Sequence, residues 1–172
     1  RIPRDEIELY DLLFRRKFDD INDDNKGQFL IAGSYRRGLK SSGDIDIAIT
    51  HDDNNIKILK DYIDHLYEEG VIIEFLTRGN VESFVIVQLP GKPARRLDIY
   101  YGEPHEYPFL LLHFTGSKQF NVAMRLRASK MGFTLNQKGL YYLDNKKKGK
   151  KVENNQFKNK KDIFNFLNIK YK

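Results

Sequence analysis

Apolar and polar positions alternate along this chain in two distinct rhythms. From Asp5 to Ile21, the residues Ile7, Leu9, Leu12, Leu13 and Phe18 recur at mostly helical spacing behind Pro3, which predicts a first helix. Gln28 to Ala32 reads as a short apolar strand. Gly33 to Gly43 reads as a polar loop with room for a helical turn. Ile45, Ile47 and Ile49 then alternate with Asp44, Asp46 and Ala48, the period of a strand. Ile56, Leu59, Ile63 and Leu66 form a helical stripe over Ile56 to Tyr67. Phe84 to Leu89 and Arg96 to Tyr100 read as two strands split by Pro90-Gly91-Lys92-Pro93. One helix among strands with hairpin-like links predicts an α+β fold with a small mixed sheet flanked by helices.

The pattern changes after Pro104 and Pro108. Ser117 to Met131 reads as a helix capped by Ser117 and stopped by Gly132, with Phe120, Met124, Ala128 and Met131 as its apolar stripe. Asn121 and Arg125 lie one turn apart on another face. Lys146 to Lys151 is a lysine-glycine run that reads as a solvated loop, with phosphate contact as the lesser alternative. Lys160 to Asn168 reads as a short final helix with Ile163, Phe164 and Leu167 apolar.

Composition narrows the class. The 172 residues suit one domain or two small subdomains. Thirty basic against 24 acidic residues give a net charge of +6, which leans toward an anionic partner, nucleic acid first. With no cysteine, disulfides and cysteine-ligated zinc are excluded. No apolar run approaches the roughly 20 residues of a membrane-spanning helix. The chain begins Arg1-Ile2-Pro3 without methionine, as a piece of a longer protein would.

The candidate chemistry sits in "IAGSYRRGLKSSGDIDIAIT", Ile31 to Thr50. Residues i and i+2 of a strand share a face, so Asp44 and Asp46 project side by side while Ile45 points to the core. Two such carboxylates repel unless a cation lies between them. Oxygen donors suit magnesium, which keeps phosphate partners. Asp98, in "RRLDIYY", is a third carboxylate within an apolar strand, and three on neighbouring strands would make a two-metal site. Gly33 and Ser34, just after a strand, let backbone amides and a hydroxyl approach an anion, and Arg36, Arg37 and Gly43 add charge and room. The glycine-lysine-serine/threonine ending of a P-loop is absent. Gly-Ser, then Asp-x-Asp, then a strand Asp together predict a nucleotidyltransferase that handles a phosphate chain with magnesium.

"GSYRRGLKSSGDIDIAITH" resembles the signature of the X-family DNA polymerases, the polymerase beta group. The likeness continues through "RIPRDEI", "QLPGKPARRLDIYY", "LLHFTGSKQFNVAMR", "MGFTLN" and "KKDIFNFLNIKY". It implies a nucleotidyltransferase palm over 1–104 and, over 105–172, a smaller α/β subdomain that closes on the nascent base pair. Family members carry helix-hairpin-helix elements and a lyase domain ahead of this point. Compact viral members lack them, so the resemblance fits either a short enzyme or part of a longer one. It implies a DNA-directed DNA polymerase, filling short gaps in base excision repair. Its partners would be gapped or primer-template DNA and a dNTP, with two Mg2+ ions that Mn2+ can replace. It also implies a monomer with no membrane association, working inside the cell where DNA is, in a nucleus or at a viral replication site.

Residue by residue, the resemblance gives Asp44 and Asp46 both metals. Asp98 receives the catalytic metal and the primer 3′-hydroxyl. Gly33, Ser34, Arg37, Gly43 and Arg1 are given to the triphosphate. Arg96 matches an arginine near the primer-terminal phosphate. His113, Phe114 and Gly116 are placed at the nucleotide, the last two along its sugar. Lys118 is placed near the incoming base, Asn121 on its minor-groove edge, and Arg125 on the template side. Three positions depart from the polymerase beta pattern. His113 stands for a tyrosine, Tyr100 for an arginine of the closing switch, and Gln137 for a glutamate of the same network. A template-independent transferase on the same fold, or a non-catalytic DNA-binding module, are the other readings these residues leave open.

Overall fold

The Ile45–Ile49 alternation lies on an interior strand of a five-stranded mixed sheet. The computed structural model describes residues 1–153 and 156–171. The chain divides into two units, Arg1–Pro104 and His105–Lys172.

The first unit runs β1 (Ile2–Pro3), α1 (Arg4–Ile21), β2 (Gly27–Ile31), α2 (Gly33–Arg36), β3 (Ser41–Ser42), β4 (Ile45–His51), α3 (Lys57–Glu68), β5 (Ile72–Arg78), β6 (Glu82–Val87) and β7 (Arg95–Tyr101). The large sheet has the order β2-β4-β7-β6-β5, and only the β4–β7 pair is parallel. α1 and α3 cover one face. Tyr10, Phe14 and Phe18 from α1 and Leu59, Tyr62 and Leu66 from α3 pack on Ile45, Ile47, Ile49, Leu97 and Ile99. Burying each such aliphatic side chain contributes about 1.5–3 kcal/mol. Tyr62 Oη donates to the Phe14 carbonyl at 3.0 Å and ties the two helices together. Because one face holds the helices, the alternate residues Asp46, Asp98 and Tyr100 lie on the other.

Several sequence expectations need correction here. Leu9 and Leu12 are 50% and 66% exposed, and α1 instead buries Ile7, Tyr10, Phe14 and Phe18. Ile56 precedes α3 and is 44% exposed. β5 has no counterpart in the expected elements. Ile73 and Leu76, three positions apart, are both exposed, so its apolar residues do not mark one buried face with the period of a strand.

The second unit runs α4 (Tyr107–Thr115), α5 (Lys118–Lys130), β8 (Phe133–Asn136), β9 (Gly139–Asp144), β10 (Lys147–Lys151) and α6 (Lys160–Phe166). β10-β9-β8 is an antiparallel sheet. Phe109, Leu112, Met124, Ala128, Leu135, Leu140, Ile163, Phe164 and Leu167 form a separate core. Ser117 caps α5 by accepting from the Phe120 amide at 3.2 Å. Met131 is 36% exposed, at the end of the expected stripe rather than within it. The lysine run expected as a loop is a strand, because Lys147 and Lys148 pair with Asp144 and Leu143. α4 was not expected, since Pro108 to Leu112 is apolar on every side and shows no helical period. The α+β class, with a mixed sheet flanked by helices, is that of the sequence reading.

Candidate active site

Asp46 and Asp98 are opposite residues in the parallel β4–β7 register, and Asp44 stands just ahead of β4. Their carboxylate oxygens lie within 4.8 Å of one another. The three differ in environment: Asp44 is exposed, Asp46 half-buried, and Asp98 only 5% exposed. Burial, reinforced by the charges of Asp44 and Asp98, pushes the Asp46 carboxyl up to about 7. Asp98 is also raised, chiefly by burial, although Arg96 opposes the shift. Arg96 Nε donates to Asp98 Oδ1 at 2.8 Å, with its guanidinium over the Phe84 ring. Tyr100 follows on the same face of β7, its phenol pushed well above the usual range by burial and then by Asp98 and Asp46. Three clustered carboxylates held against mutual repulsion are a donor set that suits a divalent cation with oxygen preference.

The loop between β2 and β4 is fixed to this site by Gly33. Its φ is +70°, and a Cβ there would lie 2.8 Å from Asp46 Oδ2. Only glycine satisfies both the left-handed backbone and the close approach. Gly33 also starts α2, so the short helical turn begins beside Asp46. Ser34 Oγ and Ser42 Oγ are hydrogen-bonded. Arg37, at the end of α2, and Gly43, ahead of Asp44, are both exposed.

Arg1 joins the same loop. β1 pairs with β3, and Arg1 donates from Nε to Ser41 Oγ at 3.0 Å and from Nη2 to the Ser41 carbonyl at 3.1 Å. Three supports of the loop were not anticipated. Arg4 Nη1 donates to the Tyr35 carbonyl at 2.9 Å and to that of Leu39 at 3.3 Å, with its guanidinium over the Tyr35 ring. Buried Glu6 accepts two bonds from Arg95, at 2.6 and 3.1 Å, and Arg95 also reaches the Arg1 carbonyl. Ser42 is 1% exposed. The Ser-Ser-Gly ahead of Asp44 signalled the last of these. A charged pair such as Glu6–Arg95, 89 residues apart in sequence, leaves no local signal.

In the second unit, His113 and Phe114 lie near the end of α4. Gly116 and Ser117 follow, joined by a cis peptide bond, and Lys118 is exposed at the start of α5. Asn121 and Arg125 converge on one residue: Asn121 Nδ2 donates to the His113 carbonyl at 2.7 Å, and Arg125 Nη2 lies 2.9 Å from His113 Nδ1. Burial and the Arg125 charge lower the His113 pKa, so the ring is neutral and Nδ1 accepts.

Comparison with known proteins covers both units. Residues 1–104 match the family described as DNA polymerase beta palm, and residues 110–172 that described as DNA polymerase beta thumb. DNA polymerase lambda of Rattus norvegicus is 31% identical over 186 residues, taking in 100% of this chain and 32% of the relative. DNA polymerase lambda of Arabidopsis thaliana is 28% identical, over 97% of this chain and 34% of its own. Repair DNA polymerase X of African swine fever virus (strain Badajoz 1971 Vero-adapted) is 27% identical, over 63% of this chain and 61% of its own. The chain thus spans about a third of the length of the lambda relatives it matches. With both halves of the chain accounted for by that family's palm and thumb, it belongs to the X family of DNA polymerases.

Proposed function

We propose that the chain is the catalytic part of a DNA-directed DNA polymerase that adds dNMP to a primer 3′-hydroxyl in short gaps. The observation that carries the proposal is the convergence of Asp44, Asp46 and Asp98 on adjacent parallel strands. Asp44 and Asp46 would hold two magnesium ions, with Asp98 on one of them. When bound, the ions would neutralise the triphosphate and make the 3′-oxygen a better nucleophile. The chain's own residues position and hold. Ser34, the amides at the start of α2, Arg37 and Arg1 form a donor cluster of the kind that takes β- and γ-phosphates. Arg96, already on Asp98, would hold the primer-terminal phosphate as a second anion. Phe114, Gly116, Lys118, Asn121 and His113 would line the nucleotide, and Arg125 the template side.

The relatives' names, DNA polymerase lambda and repair DNA polymerase X, support DNA as substrate and repair as setting. In this reading the enzyme works as a monomer inside the cell. Among the described residues, no helix is long and apolar enough to cross a membrane.

The test is incorporation of each dNTP in turn into DNA with a one-nucleotide gap, by wild type and Asp98→Asn. The wild type should insert the templated nucleotide with magnesium or manganese and leave a single strand unextended. Asp98→Asn should bind dNTP nearly normally yet lose at least about a thousandfold in single-turnover rate, the loss of several kcal/mol expected from a metal ligand. Untemplated extension of the single strand would favour a terminal transferase. Near-normal turnover by Asp98→Asn would remove the assignment.

A further inference from the structure

We infer that the β9–β10 ribbon of the second unit is a docking surface for the phosphate backbone of duplex DNA, separate from the nucleotide-contacting face of α5. For the identity of its polyanion this rests on the polymerase reading above.

Charge is divided unevenly along the chain. Arg1–Pro104 carries 15 basic and 20 acidic residues, a net of −5, whereas His105–Lys172 carries 15 basic and 4 acidic, a net of +11. Five of the 15 basic residues fall in the six positions Lys146 to Lys151. The structure turns that run into an ordered edge strand and the turn ahead of it.

Two local details show that lysine occupies every place a side chain can stand. The one exception in the run is Gly149, where a Cβ would lie 2.9 Å from the Tyr142 carbonyl oxygen. At the turn, Asn145 and Lys146 both have positive φ, 51° and 65°. Glycine is favoured in such a two-residue hairpin turn, and lysine stands there at a conformational cost.

The lysines divide into two groups. Lys148 and Lys151 lie over the Tyr141 ring, at 4.5 and 5.8 Å, and Lys151 also bonds Glu106 at 2.9 Å. They brace the ribbon. No ion pair with another described residue holds Lys146, Lys147 or Lys150. Lys146 stands at the turn and Lys147 and Lys150 on the edge strand. Three long, flexible ammonium stems at one end and along the edge of the ribbon can thus each meet a phosphate of the duplex, whose charges recur about every 3.4 Å along each strand.

Lysines on an edge strand also discourage sheet-to-sheet association. One or two charges suffice for that. Edge protection accounts neither for five lysines in six positions nor for a lysine at a glycine-favoured turn.

The test is an anisotropy titration of the whole chain with gapped duplex DNA across a salt series. The triple substitution Lys146→Gln, Lys147→Gln and Lys150→Gln should flatten the log–log salt slope by about 2–3 and weaken binding at 0.1 M salt by about 10²-fold, since each phosphate contact contributes about 0.9 to the slope. The rate at saturating DNA should stay within about twofold. The matching Lys→Arg triple, which keeps the charge, should retain the wild-type slope. An unchanged slope in the Gln triple, or a loss seen only with single-stranded DNA, overturns the inference. Failure of the polymerase reading would look different: no nucleotide incorporated by wild type, with the salt slope and its dependence on the three lysines intact.

Discussion

Gly33 shows how far one residue can be held to a single identity. Its backbone is left-handed, which costs a side-chain-bearing residue about 1–2 kcal/mol. A Cβ at 2.8 Å from Asp46 Oδ2 adds a displacement of the carboxylate itself. Gly33→Ala should therefore lower stability by roughly 1–2 kcal/mol and lower incorporation far more, by about 100-fold or beyond, because positioning errors near 1 Å cost that much. Urea unfolding and single-turnover incorporation, run side by side, separate the two effects. Equal losses in both would mean that Gly33 serves the backbone alone. This constraint was half legible in the sequence: Gly33 after an apolar strand suggested close approach, but to a phosphate. That the nearest group is Asp46 follows from the Ala32–Asp46 backbone bond at 2.8 Å, a pairing between strands that no local pattern encodes.

At the scale of elements, legibility tracked whether apolar and polar residue types alternated. β4 and β7 have one helix-covered face and one carboxylate face, so their period of two was plain and the site could be read. β5 and α4 have apolar residues on more than one side, which removes the period. The lysine run has no apolar residue at all, and it is a strand because β9 offers it a partner. α5 was legible from its cap and stripe, and it carries a prediction about templating. Arg125 and Asn121, one turn apart, both bond His113. If they turn to the nascent base pair, Arg125 contributes only when a correctly shaped pair is present. Arg125→Ala should then slow matched insertion more than mismatched, by a differential of about 1–3 kcal/mol, as for other arginine contacts to base edges. Single-turnover insertion of all four dNTPs opposite one template base measures it. A uniform slowing with the ratio unchanged would make Arg125 a general DNA contact and reopen the untemplated reading.

For the whole molecule, the opposed charges of the two units predict which kinetic constant salt will move. In the acidic first unit Asp98 is 5% exposed and Asp46 half-buried, with Asp44 exposed beside them, and buried charges are screened much less by dissolved salt than exposed ones. The second unit places its +11 largely on exposed lysine and arginine, where screening is strongest. DNA affinity should therefore fall steeply with salt while the chemical step does not. With about five phosphate contacts the log–log slope is near −4.5, so raising salt from roughly 50 to 200 mM should weaken gapped-DNA binding by several hundredfold. Over the same range the rate at saturating DNA and dNTP should change by no more than about twofold, since Asp98 is buried and Asp46 half-buried. A gap-filling titration at each salt concentration yields both quantities from one data set. A flat DNA response would contradict a polyanion held by surface lysines. A maximal rate that fell in step with affinity would place exposed charges in the chemical step itself, contrary to the proposed site, whose carboxylates are positioned by β4, β7 and the packing of Gly33.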